Sequence, residues 1–218
     1  MASSARLFAA IFALALTSAI ADSDMLQDVC VADLSSGVKV NGYTCTDPTK
    51  VTPDHFFSRG LATAGNTNTS PTGSVVTGAN VEKIPGLNTL GVSMSRIDIA
   101  PGGINPPHIH PRATEIIFVL EGQLNVGFLT TAGKLVSKTL EKGDVYVFPK
   151  ALIHFQHNVG KGPASAIAAF NSQLPGTQSI ASTLFGSTPA IPDSVLSKAF
   201  KMSHKQVNKI KSGFQPKI

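Results

Sequence analysis

The chain is expected to fold as an all-β protein, a single antiparallel jelly-roll barrel preceded by a disulfide-bridged loop region and followed by helices. Three observations carry this expectation. Between residues 87 and 172 short apolar runs recur, divided by Gly and Pro, and runs of that length spaced every 8–12 residues or so mark a sandwich or barrel. Only two cysteines occur, Cys30 and Cys45, and both precede those runs. Beyond residue 173 the apolar spacing changes to that of amphipathic helices.

Taken in order, residues 1–21 read as a cleaved secretory signal peptide. Met1 to Arg6 carry one positive charge, Leu7 to Leu16 are an apolar run, and Ala19-Ile20-Ala21 offers a small-residue cleavage site. A membrane anchor would need roughly 18 or more apolar residues, and no other stretch is a candidate span. Cleavage leaves 218 − 21 = 197 residues, enough for one domain or a domain with an appendage. Export places Cys30 and Cys45 in an oxidising compartment, where a pair is expected to bridge. The loop closed is 45 − 30 = 15 residues, worth about 3 kcal/mol if the bridge acts by restricting the unfolded chain.

Residues 22–86 are a loop-rich N-terminal extension, expected to pack on the barrel. It has one short amphipathic candidate from Thr52 to Arg59, opened by Thr52-Pro53-Asp54. Asn68-Thr69-Ser70 is the sole N-glycosylation sequon and lies in a polar loop, so Asn68 is the candidate acceptor.

Residues 87–172 form the barrel core. Leu90, Val92 and Met94 alternate, and the phase then switches to Ile97 and Ile99. Glu115 to Leu120 is a continuous apolar strand, Leu124, Val126 and Phe128 alternate, and Thr130 to Gly133 turns the chain. Val145 to Phe148, Leu152 to Phe155 and Ala164 to Phe170 complete the series. Residues 173–218 form a helical extension. Pro192-Asp193-Ser194 opens a helix bearing Val195, Leu196, Ala199 and Phe200, and Ser203 with Gln206 fits a capping box for a last helix. Its face of Val207, Ile210 and Phe214 is expected to find a partner in another subunit. Lys198, Lys201, Lys205, Lys209, Lys211 and Lys217 concentrate the net charge of +5 at this end. That charge reads first as a solvated helix face; it also suits anionic lipid or acidic polysaccharide, and in an exported protein no nucleic-acid partner is expected.

The chemistry lies in Pro106-Pro107-His108-Ile109-His110-Pro111-Arg112-Ala113-Thr114-Glu115. Residues two apart on a strand share a face, so His108 and His110 can meet one interior point. Pro111 ends the pairing, and Glu115 can open the next strand facing inward. His154, flanked by apolar residues in Leu152-Ile153-His154-Phe155, is the fourth candidate. Three imidazoles and a carboxylate without thiolate suit Mn, Fe, Ni or Zn and disfavour Cu(I). His157 falls on the opposite face from His154, and His55 and His204 sit in helical segments with no partner pattern.

Two motifs now carry a family resemblance. Gly102 to Gly122 reads G-x5-H-x-H-x4-E-x6-G, and Gly143 to Asn158 reads G-x5-P-x-A-x2-H-x3-N. Both resemble the paired motifs of cupins, with Ala151 where the second usually has Gly, a harmless change unless that position needs φ > 0. The wider text, from Gln27-Asp28-Val29-Cys30 to Phe170-Asn171-Ser172-Gln173, resembles plant germins and germin-like proteins over nearly the whole mature chain. The resemblance implies a cupin barrel with one manganese ion per subunit on His108, His110, Glu115 and His154. It also implies the Cys30–Cys45 bridge, a location in the apoplast or cell wall, and a homohexamer built as a trimer of dimers.

The same resemblance offers several functions. Superoxide dismutation, generating hydrogen peroxide in wall defence, is the leading expectation. Oxalate oxidase, which converts oxalate and dioxygen to carbon dioxide and hydrogen peroxide, is the alternative. True germins match this chain at Asn105, a substrate contact, but carry a second Asn where it has Ser95. The shorter hydroxyl at Ser95 would cost a bound oxalate reach and a partner. A third reading is non-enzymatic, a wall protein or small-acid binder.

Overall fold

The computed structural model describes residues 27–39 and 42–214, so the signal-peptide segment lies outside the described residues. The chain divides into two compact units, Met1–Cys30 and Val31–Ile218, and the barrel, the site and the helices all belong to the second. Cys30 and Cys45 form the disulfide.

Ten strands follow in order: β1 (Ser74–Ala79), β2 (Ser93–Ile99), β3 (Ile104–Ile109), β4 (Glu115–Glu121), β5 (Leu124–Leu129), β6 (Leu135–Leu140), β7 (Val145–Phe148), β8 (His154–Asn158), β9 (Ala164–Phe170) and β10 (Gln178–Ser179). They form two five-stranded sheets, β1-β2-β9-β4-β7 and β10-β3-β8-β5-β6, paired antiparallel throughout. This is the mostly-β cupin barrel expected from the motifs. Alternation along each strand sends Ile97, Ile99, Ile117, Val119, Leu124 and Val126 into the core. The phase switch on β2 is real: Leu90, Val92 and Met94 are exposed, whereas Ser95, Ile97 and Ile99 point inward.

Turn chemistry closes the barrel. Gly122, between β4 and β5, has φ 79°, and a Cβ there would lie 2.6 Å from the Pro163 carbonyl, so only glycine fits. Asn158, the last residue of the second motif, is fully buried. Its Nδ2 donates to the carbonyls of Ile99 and Gly162, each at 2.9 Å, and its Oδ1 accepts from Gly160 N. That asparagine therefore staples the β8–β9 turn rather than serving chemistry.

Some elements differ from the sequence reading. Strand β1 lies inside the segment read as loop-rich; it is short, contains Gly78, and pairs only with β2. Strand β6 is an edge strand whose one buried residue is Leu140, so its apolar signal is weak. The candidate over Thr52 to Arg59 shrinks to a single 3-10 turn, Pro53–Phe56. Asn68 is exposed at the middle of another such turn, Thr67–Thr69.

The helices are α1 (Ile180–Phe185), α2 (Asp193–Phe200) and α3 (His204–Ser212). The capping box is present: Ser203 Oγ accepts from Gln206 N at 3.3 Å, and Ser203 N donates to Gln206 Oε1 at 2.8 Å. The expected partner for α3 is corrected here. Val207 is fully buried against Phe185 and Leu196 of the same chain, with Ile210 packed at the edge, so the neighbouring helices cover this face. Phe214, 39% exposed, stays outside that cluster. Lys211 Nζ ties α3 to α2 through the Asp193 carboxylate at 2.6 Å.

Candidate metal centre

Strands β3, β4 and β8 bring His108, His110, Glu115 and His154 to one point. His108 sits directly opposite His154 in the β3–β8 ladder. The register shifts between Asn105 and His108, because Pro106 and Pro107 cannot donate to the ladder. His110 lies just past β3, and the turn at Pro111 returns the chain so that Glu115 opens β4 facing inward. All four side chains are buried, and their ligand atoms lie within 4.8 Å of one another.

The donor set fits a divalent cation on the observed hydrogen bonds. Each histidine Nδ1 meets a backbone carbonyl: Pro106 at 2.7 Å for His108, Gly176 at 2.7 Å for His110, and Leu152 at 2.8 Å for His154. A carbonyl only accepts, so each Nδ1 carries a proton and each Nε2 is turned toward the cluster. Glu115 Oε2 lies 2.9 Å from His110 Nε2 and 3.1 Å from His154 Nε2. Phe148 stacks on His154 with ring centroids 4.5 Å apart, and Phe170 meets His110 edge-on at 4.8 Å, which locks both rings.

The electrostatics prepare the same site. Burial pushes the Glu115 carboxyl up, but hydrogen bonds from His110 and His154 outweigh it and hold the group at about 2. Burial first, and the neighbouring His154 second, lower His108 to about 4. Near neutral pH these two ligands are therefore a carboxylate and a neutral imidazole, the forms that bind metal. This is the metal-binding site of a cupin barrel.

A cavity of about 260 Å³ opens beside it, lined by Ser95, Asn105, His108, His110 and the segment from Leu174 to Thr177. Ser95 faces inward opposite Ala168 of β9, and these small side chains leave the space. Its Oγ is buried without a hydrogen-bond partner. Asn105 Nδ2 donates to Gln156 Oε1 at 2.7 Å, while Gln156 Nε2 is buried and unpartnered. The sequence reading missed Gln156, although its position two residues after His154 puts both on one face of β8. It also missed the Gly176 carbonyl, which reaches His110 across 66 residues. Pro175-Gly176 marks a turn in the sequence but does not say what the turn faces. His157 stays off the cluster, as its strand phase requires, and His55 instead accepts from Thr52 N at 3.0 Å.

Comparison with known proteins agrees with this geometry. Residues 59–208 match the cupin family. The chain is 68% identical over 199 residues to a probable germin-like protein subfamily 2 member 5 of Arabidopsis thaliana, covering 91% of this chain and 92% of that protein. It is 65% identical over 200 residues to germin-like protein 5-1 of Oryza sativa subsp. japonica, covering 92% and 89%. A solved recombinant oxalate oxidase in complex with glycolate superposes with a TM-score of 0.85 at 51% identity, over 89% of this chain and 98% of that one. Two cupin motifs converging on one buried His3Glu cluster, within a chain so matched from end to end, make this protein a member of the plant germin-like proteins of the cupin family.

Proposed function

We propose that this germin-like protein is a secreted manganese protein that dismutates superoxide in the apoplast, releasing hydrogen peroxide for wall defence. The observation that carries the reading is a fully buried, thiolate-free ligand set opening onto a small cavity whose mostly apolar lining includes the polar side chains of Ser95 and Asn105. His108, His110, Glu115 and His154 would hold one ion per subunit. A bound manganese ion supplies an electron acceptor and donor in alternation, so that two superoxide ions and two protons yield one hydrogen peroxide and one dioxygen. The protein's own part is to hold three Nε2 atoms and a carboxylate ready and to keep the site accessible to a very small anion. Asn105, oriented by Gln156, and the free Ser95 hydroxyl are the groups that would orient a guest there.

Oxalate oxidase is the second reading, and the similarity to the solved oxalate oxidase supports it. Against it stands Ser95. A buried polar group left unpaired costs about 1–3 kcal/mol, or roughly one to two decades in rate if the loss falls on the transition state.

The outer face of β2-β9-β4-β7 supports a homo-oligomer, proposed as a hexamer. Met94, Ala169, Ile116 and Val147 form one row across four strands, and Phe118 pairs with Val145 in the next. Met94, Ile116, Phe118, Val145 and Val147 are 44–54% exposed, an unusual run of apolar side chains for a solvated sheet. Exposed Asn68 is the proposed glycosylation site, and the lysine-rich end the proposed contact with acidic wall polysaccharide. Among the described residues no helix is long and apolar enough to cross a membrane.

The test is metal analysis of the secreted protein with parallel superoxide and oxalate assays, on wild type and Ser95→Asn. About one manganese per chain and chelator-sensitive dismutase activity are expected, with oxalate turnover low and raised by Ser95→Asn. Wild-type protein that oxidises oxalate as fast as it dismutates superoxide would overturn the preference.

A further inference from the structure

The segment Leu174–Thr177 is a strap along the wall of the metal cavity, and residues of the metal loop hold it at three successive carbonyls. Arg112 Nε donates to Leu174 O at 2.7 Å, Arg112 N donates to Pro175 O at 3.2 Å, and His110 Nδ1 donates to Gly176 O at 2.7 Å. Beyond the strap, β10 continues along β3, with Gln178 opposite Ile109 and Ser179 opposite His108. The guanidinium packs against the strap at Gly176. That residue has φ 68°, and a Cβ on it would stand 2.6 Å from Arg112 Nη2 and 3.0 Å from Cζ. Glycine is required there twice over, for its backbone and for the room the arginine takes.

The three histidines differ in how their Nδ1 protons are held. His108 and His154 donate to carbonyls two residues before themselves, Pro106 and Leu152, so each strand carries its own restraint. His110 depends on a carbonyl 66 residues away, on a strap that only tertiary contacts keep in place. We infer that Arg112 is a positioning residue for the metal centre: by clasping the 174–176 carbonyls it fixes Gly176 O under His110 Nδ1 and so aims His110 Nε2 at the metal point. Arg112 touches neither the ligand cluster nor the cavity guest. The guanidinium matters, because it donates to the Leu174 carbonyl through Nε while its terminal atoms pack at Gly176, and a lysine ammonium cannot do both.

This inference rests on the metal-centre reading, so its test includes a measurement that needs no metal. In protein labelled with 15N-histidine, metal-free, the His110 Nδ1–H resonance is expected to be protected from solvent exchange. Arg112→Ala should broaden or remove it while the His108 and His154 Nδ1–H signals persist. A merely structural role for Arg112 would disturb all three or none. In the manganese-loaded protein the same variant should release metal to a chelator about tenfold faster, the lower end of what loss of a hydrogen bond behind a ligand costs. Gly176→Ala should displace the guanidinium and give the same selective loss, and Arg112→Ala/Gly176→Ala should be no worse than either single variant. If Arg112→Ala does not fold, Arg112→Lys, which keeps charge and bulk, is expected to show the same selective change in weaker form. An unchanged His110 signal in a folded Arg112 variant, or effects of Arg112→Ala and Gly176→Ala that simply add, would overturn the inference. Failure of wild type to bind manganese would refute the proposed function and leave the His110 signal to decide this point alone.

Discussion

Ala151 occupies the position where the second cupin motif usually has glycine, and its φ is 61°. An L-residue there brings its Cβ against the following carbonyl, at a cost of about 1–2 kcal/mol. Glycine would remove that cost but enlarge the unfolded ensemble by about 0.4–1 kcal/mol. Ala151→Gly should therefore stabilise the protein by about 0.8 kcal/mol, the middle of the resulting range of roughly 0–1.6 kcal/mol, raising Tm by about 2–3 °C for a domain of this size. The turn is held on both sides of the site: Ala151 N donates to His110 O at 3.3 Å, and Leu152 N donates to Pro149 O at 3.2 Å. Relief of strain should leave His154 in place, because Leu152 O still accepts its Nδ1 proton. The assay is denaturant unfolding of metal-free wild type and variant at equal protein concentration, with m unchanged. A variant equal to or less stable than wild type would refute the reasoning, since it would mean that the left-handed backbone at 151 carries no side-chain cost.

Other outcomes follow from the same geometry. His110→Ala should reduce manganese content sharply by removing one of four ligands, whereas His157→Ala should retain it; metal analysis of both checks the ligand set. Stability of the metal-free protein should fall with acid in two overlapping stages. His108 has a folded value of about 4 against its ordinary value of 6.5, so the unfolded chain takes up its proton first. That contribution, about 3 kcal/mol at most, is complete above pH 6.5 and lost as pH falls toward 4. Glu115, held at about 2 against 4.5, adds a loss below 4.5; denaturant midpoints that stay flat from neutral pH to pH 4 would contradict the His108 assignment. Ile116→Asp should lower the oligomeric mass in light scattering by placing a charge in the middle of the exposed apolar row, and an unchanged mass would leave that face without a role in assembly.

The fold was legible wherever alternation and turn chemistry agreed. Leu124-Asn125-Val126 and Ala164 to Phe170 announce strands because one face is buried, and Pro111 announces the turn that lets Glu115 join two histidines. Edge strands β1 and β6 were illegible for the opposite reason: with little buried, Ser74 to Ala79 and Leu135 to Leu140 need no apolar period. The α3 face was legible as apolar, but periodicity cannot name a partner. Phe185 and Leu196 supply it from within the chain, while the exposed apolar surface lies on the outer sheet, on alternate residues of strands such as Glu115 to Leu120, whose continuous apolar run does not say which face is buried. At the site, ligand identity followed from strand phase. The acceptors behind His110 and Asn105 did not, because they are contacts between segments distant in sequence.

The local costs of this fold gather around the metal centre. Ser95 Oγ and Gln156 Nε2 are buried without partners, each at about 1–3 kcal/mol. Ala151, in the turn that leads into β8 and His154, is left-handed, and Ser95 lines the cavity beside the metal ligands. A core selected for stability alone would remove these features, since a small apolar side chain at position 95 would eliminate one orphan hydroxyl outright. Departures from local consistency of this kind tend to persist where function requires them. A metal that served structure alone would be closed by its ligands and would gain nothing from an adjacent cavity. Here a cavity does adjoin the ligands, Ser95 Oγ is an unpartnered group in its lining, and Asn105 in the same lining is held by Gln156. That supports the proposed chemistry at the centre over the non-enzymatic reading, and it makes Ser95 and Asn105 the residues on which the choice of guest would depend.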